Sequence, residues 1–313
     1  MNYTLSEITF PSSDGIHTIH AEIYVPNSIA PRGVVQLSHG MVDYVGRYEV
    51  LAEYLTSNGY IFAGNAHLGH AKSAGDESDL GYFAKKDGVI YLLKDIHSMN
   101  KYLRAAYPSL PIYLLGHSMG SFLARLYTER HPHSIAGLII HGTSGPNPAV
   151  GAGLAISSLI ALARGDRYRS KLVKNMAFMG YNSKFPKSEG PHAWLTSEVQ
   201  RVASRDTDPY TNFTFTLSAY KDLFRMLKAS NSGAWFDKYP KELPTLVISG
   251  DMDPVGNYGK GPRYVYKRLL LSGAGAVTLK LFPGARHELF NEKCRYEVFD
   301  YLLSWLDGEG RQA

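Results

Sequence analysis

The pentapeptide Gly116-His117-Ser118-Met119-Gly120 sets one serine between two glycines, after the apolar run Pro111–Leu115 and before the helix-like run Ser121–Tyr127. Strand, tight turn and helix is the setting in which G-x-S-x-G forms a nucleophile elbow. The turn is so sharp that its central residue takes a strained conformation, and glycine at either end removes a Cβ that would clash. A serine hydroxyl alone is a poor nucleophile, so the chemistry needs a base and an acid further along. In this elbow the chain order is serine, acid, histidine. Gly250-Asp251-Met252-Asp253-Pro254 offers two candidate acids after an apolar run, and beyond it the chain contains a single histidine, His287. His287 is the candidate base for Ser118. Negative charge developing on a carbonyl oxygen needs amide donors. The N–H of Met119 is one, and the N–H of Met41, in the turn His39-Gly40-Met41, is the other.

These groups need a scaffold that delivers them to one place. Alternating or buried apolar runs predict strands at 5–10, 16–25, 33–38, 60–63, 111–115, 136–140, 244–249 and 277–282. Between them, 3.6-residue periodicity predicts helices at 47–57, 89–106, 121–130, 264–271 and 296–306. That alternation predicts an α/β fold, a doubly wound, mostly parallel, eight-stranded sheet with helices on both faces. It breaks between Gly145 and Trp235, where the pattern is helical. The expected organisation is therefore a core of residues 1–145 and 236–313 with a helical cap (lid) of residues 146–235 inserted between two strands, where such sheets bind ligands.

Composition narrows the function. The chain has 313 residues and a net charge of +5 spread without any Lys/Arg run, so no nucleic-acid partner is expected. Cys294 is the only cysteine, which excludes an internal disulfide and a cysteine-based metal site. No carboxylate or cysteine near His67-Leu68-Gly69-His70 completes a metal ligand set, so these histidines are expected to shape a loop and no metal is expected. No glycine cluster follows a strand as G-x-G-x-x-G, and no cofactor is expected. The segment Met1–Glu7 lacks the basic and apolar regions of a signal peptide, so a cytoplasmic location is the expectation. His117, at a variable elbow position, is expected to point away from the nucleophile.

With these motifs in place, the chain resembles the α/β-hydrolases grouped as monoacylglycerol lipases, lysophospholipases and serine aminopeptidase-like hydrolases. The resemblance rests on His39-Gly40-Met41 followed by Arg47-Tyr48, on His67-Leu68-Gly69-His70-Ala71-Lys72-Ser73, and on the elbow. It also rests on Gly250-Asp251-Met252-Asp253-Pro254-Val255 and Gly284-Ala285-Arg286-His287-Glu288. It implies the α/β-hydrolase fold, and it implies that the acid is Asp253, three residues after the strand-end glycine. Hydrolysis of monoacyl or small carboxylic esters through an acyl-enzyme is the implied activity. The family usually has Asp and Gly where this chain has Ala66 and Ala71, so one anchor of the loop beside the site is missing.

The cap carries the substrate clues. Ala149–Ala163 is apolar, and Arg164, Arg167, Arg169, Lys171 and Lys174 follow it. That pairing suits an amphiphile with an anionic head, or peripheral contact with a membrane. Phe213, Phe215 and Tyr220 are candidates to line an acyl pocket, and Leu217 lies among them. A peptidase or amidase would instead need an acidic pocket for a free amino terminus. A non-catalytic ligand-binding member of the fold would be expected to lack one of Ser118, Asp253 and His287.

Overall fold

The computed structural model describes residues 2–308; Met1 and residues 309–313, the two ends of the expected core, lie outside them. Eight strands form one sheet: β1 (Tyr3–Pro11), β2 (Thr18–Pro26), β3 (Gly33–Ser38), β4 (Tyr60–Asn65), β5 (Ile112–His117), β6 (Gly137–His141), β7 (Thr245–Gly250) and β8 (Val277–Phe282). Their spatial order is β1-β2-β4-β3-β5-β6-β7-β8. β1 and β2 pair antiparallel with each other, and β2 pairs antiparallel with β4; all later neighbours are parallel.

β3 to β7 are buried along their whole length, which is why they read as continuous apolar runs. Period two then divides their side chains between two cores. Val34, Leu114, Leu138 and Val247 face one core, with α2 (Gly88–Ala106), α3 (Met119–Arg130) and α9 (Lys260–Leu271). Val35, Leu115, Ile139 and Leu246 face the other, with α1 (Glu49–Ser57) and α10 (Arg295–Leu306).

Between β6 and β7 lie five helices: α4 (Val150–Arg164), α5 (Lys171–Ala177), α6 (Val199–Thr207), α7 (Leu217–Ser230) and α8 (Gly233–Lys238). α4 packs on α7, and α7 packs in turn on α3. A separate small cluster of Phe185, Trp194 and Leu195 sits on Met252 and Val255, in the loop after β7. Among the described residues no helix is long and apolar enough to cross a membrane.

Most boundaries shift by a residue or two from the sequence expectation, and two helix starts have a local cause. The helix expected from Arg47 begins at Glu49, because Val45–Tyr48 forms a 3-10 turn that carries Arg47 inward. The helix expected from Tyr264 begins one turn earlier, at Lys260, after Gly259 in a left-handed conformation. Cys294, half-buried, precedes α10.

Candidate active site

Ser118 stands between β5 and α3 with φ 53° and ψ −118°, a conformation that costs a non-glycine residue about 1–3 kcal/mol. The neighbouring packing enforces it. A Cβ on Gly120 would lie 1.9 Å from the Ser38 carbonyl oxygen, and one on Gly116 would lie 2.5 Å from that of Gly120. The Ser118 N–H donates to the His141 carbonyl at 3.0 Å. Met119 is the first residue of α3, so its N–H has no intrahelical acceptor. The parallel register pairs Ser38 with Gly116, which brings the turn after β3, with Met41, alongside the elbow.

The Gly250 end of β7 and the Phe282 end of β8 are paired, so the loops after them meet. His287 Nδ1 lies 3.0 Å from Asp253 Oδ2, with both side chains buried. A carboxylate oxygen facing Nδ1 favours the imidazole tautomer that carries its proton there, the one that leaves Nε2 as the acceptor. Asp253 also accepts from the Val255 N–H at 2.8 Å and from Ser249 Oγ at 3.2 Å. Asp251 does something else: its carboxylate accepts the Gly284 N–H at 2.7 Å and closes a turn. Of the two candidate acids, Asp253 is therefore the one that meets His287. Met41, Ser118, Met119 and His287 all line one cavity of about 410 Å³.

The substrate candidates separate. Phe213 and Tyr220 line that cavity. Phe215 does not, a correction to its expected place: it is fully buried against His70, Phe83 and Tyr220. Leu217 is equally buried. The basic cluster also divides. Arg167 pairs with Asp79 at 2.6 Å and lies over the Tyr82 ring. Arg169 donates to the carbonyls of Ser78, Leu80 and Thr214. Both side chains fasten the segment between α4 and α5 to the core; they are not free cations for a ligand or a membrane. Lys174 lines the cavity.

The loop that lacks the family's Asp at position 66 is held by other groups. His39 Nε2 accepts the His67 N–H at 2.9 Å, Ser73 Oγ donates to the Ala66 carbonyl, and His67 Nε2 lies 3.1 Å from Ser38 Oγ. His70 Nε2 accepts the Val42 N–H at 3.2 Å, which fixes the chain one residue beyond Met41. Burial, with the neighbouring His39, pushes His70 down to about 3 and His67 well below the usual imidazole range, so both stay neutral and can accept. Among the described residues no group of three potential ligands could hold a metal.

Sequence reasoning missed four neighbours of His287. The His117 ring lies 4.8 Å from the His287 ring and 4.4 Å from the His141 ring. Trp194, from the segment between α5 and α6, packs 5.2 Å from His287, and its carbonyl accepts the His287 N–H at 3.4 Å. The fourth is an ion triad. Arg47 donates to Asp43 at 2.7 Å and to Glu288 at 2.8 Å, while Tyr48 Oη donates to Asp43 at 2.7 Å. Burial pushes both carboxyls up, but the Arg47 charge and hydrogen bonds, joined by His39 and Tyr48 at Asp43 and by the Arg205 charge at Glu288, together hold them below the ordinary range. Arg47 thus ties the turn carrying Met41 to the residue after His287. Arg47→Met leaves two buried carboxylates unpaired and should cost about 3–5 kcal/mol of unfolding free energy in urea. Adding Asp43→Asn and Glu288→Gln should recover much of it. A loss below about 1 kcal/mol for the single variant would mean that the triad is not buried as described.

The sheet order and the strand–elbow–helix unit at Ser118 are those of an α/β-hydrolase. The family model described as serine aminopeptidase, S33, matches residues 29–294. A monoacylglycerol lipase from Mycolicibacterium smegmatis is 26% identical over 307 residues, covering 97% of each chain. The human monoglyceride lipase is 28% identical over 88% of this chain and 82% of its own. The crystal structure of a thermostable carboxyl esterase from Bacillus coagulans, in complex with glycerol, superposes with a TM-score of 0.89 at 32% identity, over 97% of this chain and 98% of that one. The chain belongs to the serine aminopeptidase S33 family of α/β-hydrolases. It is a serine ester hydrolase of the monoglyceride lipase-like kind.

Proposed function

We propose that the protein hydrolyses monoacyl esters through Ser118, His287 and Asp253. Ser118 Oγ attacks the acyl carbonyl as its proton passes to His287 Nε2, and Asp253 holds the imidazole in the tautomer that can receive it. The oxyanion takes hydrogen bonds from the Met41 and Met119 amides. When the C–O bond breaks, His287 returns the proton to the departing alcohol. Water, deprotonated by the same histidine, then releases the fatty acid.

One observation carries the substrate reading. The cavity that contains Ser118 and His287 is walled on one side by Phe122, Val150, Tyr220, Leu223, Phe224 and Leu227, the apolar faces of α3, α4 and α7. Residues 146–235 would then act as the cap, with the acyl chain beneath α4. A peptidase would need a free carboxylate for an amino terminus. Asp43 and Glu288, the acids on the same wall as His287, are both consumed by Arg47. The outer faces of α4 and α5 expose Leu159, Leu162 and Leu172 beside the exposed Arg164 and Lys171, which favours peripheral contact with a lipid surface.

Esters of 4-nitrophenol test the acyl site. Each buried methylene contributes about 0.8 kcal/mol, so kcat/KM should rise about tenfold for every two carbons added to acetate until the cavity is filled. Phe224→Ala should flatten that slope. A kcat/KM that falls steadily from acetate upward would defeat the monoacyl reading and leave a small-ester hydrolase.

A further inference from the structure

The turn that carries Met41 places Val42 at φ 55°, in the left-handed region where a β-branched residue is an outlier. Turns that need such a residue ordinarily use glycine or asparagine there. The amides on either side of Met41 are both occupied. Gly40 N–H donates to Asp43 Oδ2 at 3.3 Å, and Val42 N–H donates to His70 Nε2 at 3.2 Å. Among the described residues the Met41 N–H between them has no acceptor, and Met41 lines the reactive cavity. A backbone donor left open in a strained turn points to a ligand.

The other end of that bond is rigid. His70 is fully buried. Its Nδ1 lies 3.3 Å from the Leu68 carbonyl, which favours the tautomer with its proton there and leaves Nε2 as the acceptor. Phe83, Phe213, Phe215 and His39 enclose the ring, with centroids 5.0 to 5.8 Å away. The backbone on both sides is left-handed as well. Gly69, at φ 73°, packs so closely that a Cβ would lie 2.3 Å from the Tyr82 carbonyl oxygen, and Ala71 has φ 42°. The rings block rotation of the imidazole, and the tight loop blocks its displacement.

We infer that His70 is a positioning residue of the oxyanion hole: it holds Val42 in the left-handed conformation that aims the Met41 N–H at the acyl carbonyl. The inference rests on the ester-hydrolase reading of the cavity above. His70 acts through the Val42 backbone and does not itself line the cavity. Released from His70, Val42 would relax toward negative φ and carry the Met41 amide off its aim. An oxyanion donor contributes because it is fixed before charge develops, so the loss would fall on the transition state and not on ester binding.

His70→Phe keeps an aromatic ring in the cluster and removes the acceptor. With 4-nitrophenyl acetate its kcat should fall at least about tenfold, toward the roughly 10²–10³-fold that losing one oxyanion donor outright costs, while KM changes little. His70→Gln, whose Oε1 can accept the Val42 N–H, should recover part of that loss. So should Val42→Gly added to His70→Phe, because glycine adopts a φ of this sign without being held. An alkyl trifluoromethyl ketone, which forms a tetrahedral adduct with the serine, should lose affinity for His70→Phe in step with kcat/KM. An unchanged kcat in folded His70→Phe overturns the inference. So does a loss confined to the KM of long-chain esters, or a double variant no more active than His70→Phe. Should His70→Phe fail to fold, a nitrogen–nitrogen scalar coupling across the hydrogen bond from Val42 to His70 Nε2 decides the matter in the wild-type protein, where its absence overturns the bond. If folded wild-type protein cleaves no ester, the ester-hydrolase reading falls and takes the role of His70 with it; wild-type turnover beside an unaffected His70→Phe removes that role alone.

Discussion

Purified Ser118→Ala protein is expected to be folded and to have lost about six orders of magnitude in kcat, the loss that removing the serine causes in subtilisin. Alanine keeps the Cβ and the backbone of the elbow, so the φ of 53° is no more strained than before. The glycines that let α3 approach Ser38 are untouched. Only the atom that would form the acyl bond is gone. A fluorophosphonate probe should label the wild-type protein at one site and leave Ser118→Ala unlabelled. The next serine of the elbow is poorly placed: Ser121 Oγ donates to the Ser118 carbonyl at 2.6 Å and lies 2.9 Å from Thr143 Oγ1, in the buried core. Full labelling of the alanine variant would remove Ser118 from the nucleophile's role.

The parts of this site that could be read from the sequence are those whose signals are local. β3 and β8 run as expected, 33–38 and 277–282, because β3 is a short, mostly apolar run and β8 alternates apolar and polar residues, each bounded by turn residues. The elbow is legible because its glycines, serine and flanking periodicities lie within a few residues of one another. What could not be read depends on contacts between distant segments. Phe213 and Phe215 are two residues apart in an irregular stretch, where neither period says which ring meets the cavity; packing of Phe215 on His70 and Phe83 decides it. Arg167 and Arg169 read as a free basic cluster because Asp79 and the Ser78 and Leu80 carbonyls lie some ninety positions earlier, and the Thr214 carbonyl 45 positions later. Arg47 and Glu288 were visible as motif residues, but their pairing spans 241 positions. The missing Asp at position 66 reads as a loss of anchoring, yet His39 in the turn after β3 and His70 in the turn after β4 each accept a backbone N–H from the other turn.

The acid is the place where local sequence was most ambiguous, and there the expected effect is the second largest. Asp253→Asn should lower kcat about 10⁴-fold with little change in KM, the loss seen for the corresponding substitution in chymotrypsin. An asparagine amide facing His287 Nδ1 can donate its N–H, which would make Nδ1 the acceptor and put the proton on Nε2. Nε2 could then no longer take the proton from Ser118. The substitution also weakens the acceptor for the Val255 N–H and Ser249 Oγ, so the variant's thermal unfolding should be measured beside its activity. Asp251→Asn is the control two residues away. Its carboxylate holds the Gly284 N–H at 2.7 Å, a bond that an asparagine carbonyl can keep, so kcat should stay within about threefold of wild type. Should the ranking come out reversed in folded protein, the acid would be Asp251 and the loop after β7 would have to rearrange to reach His287. The hydrogen bond from His287 to Asp253, both fully enclosed by the loops after β7 and β8, argues for the order given.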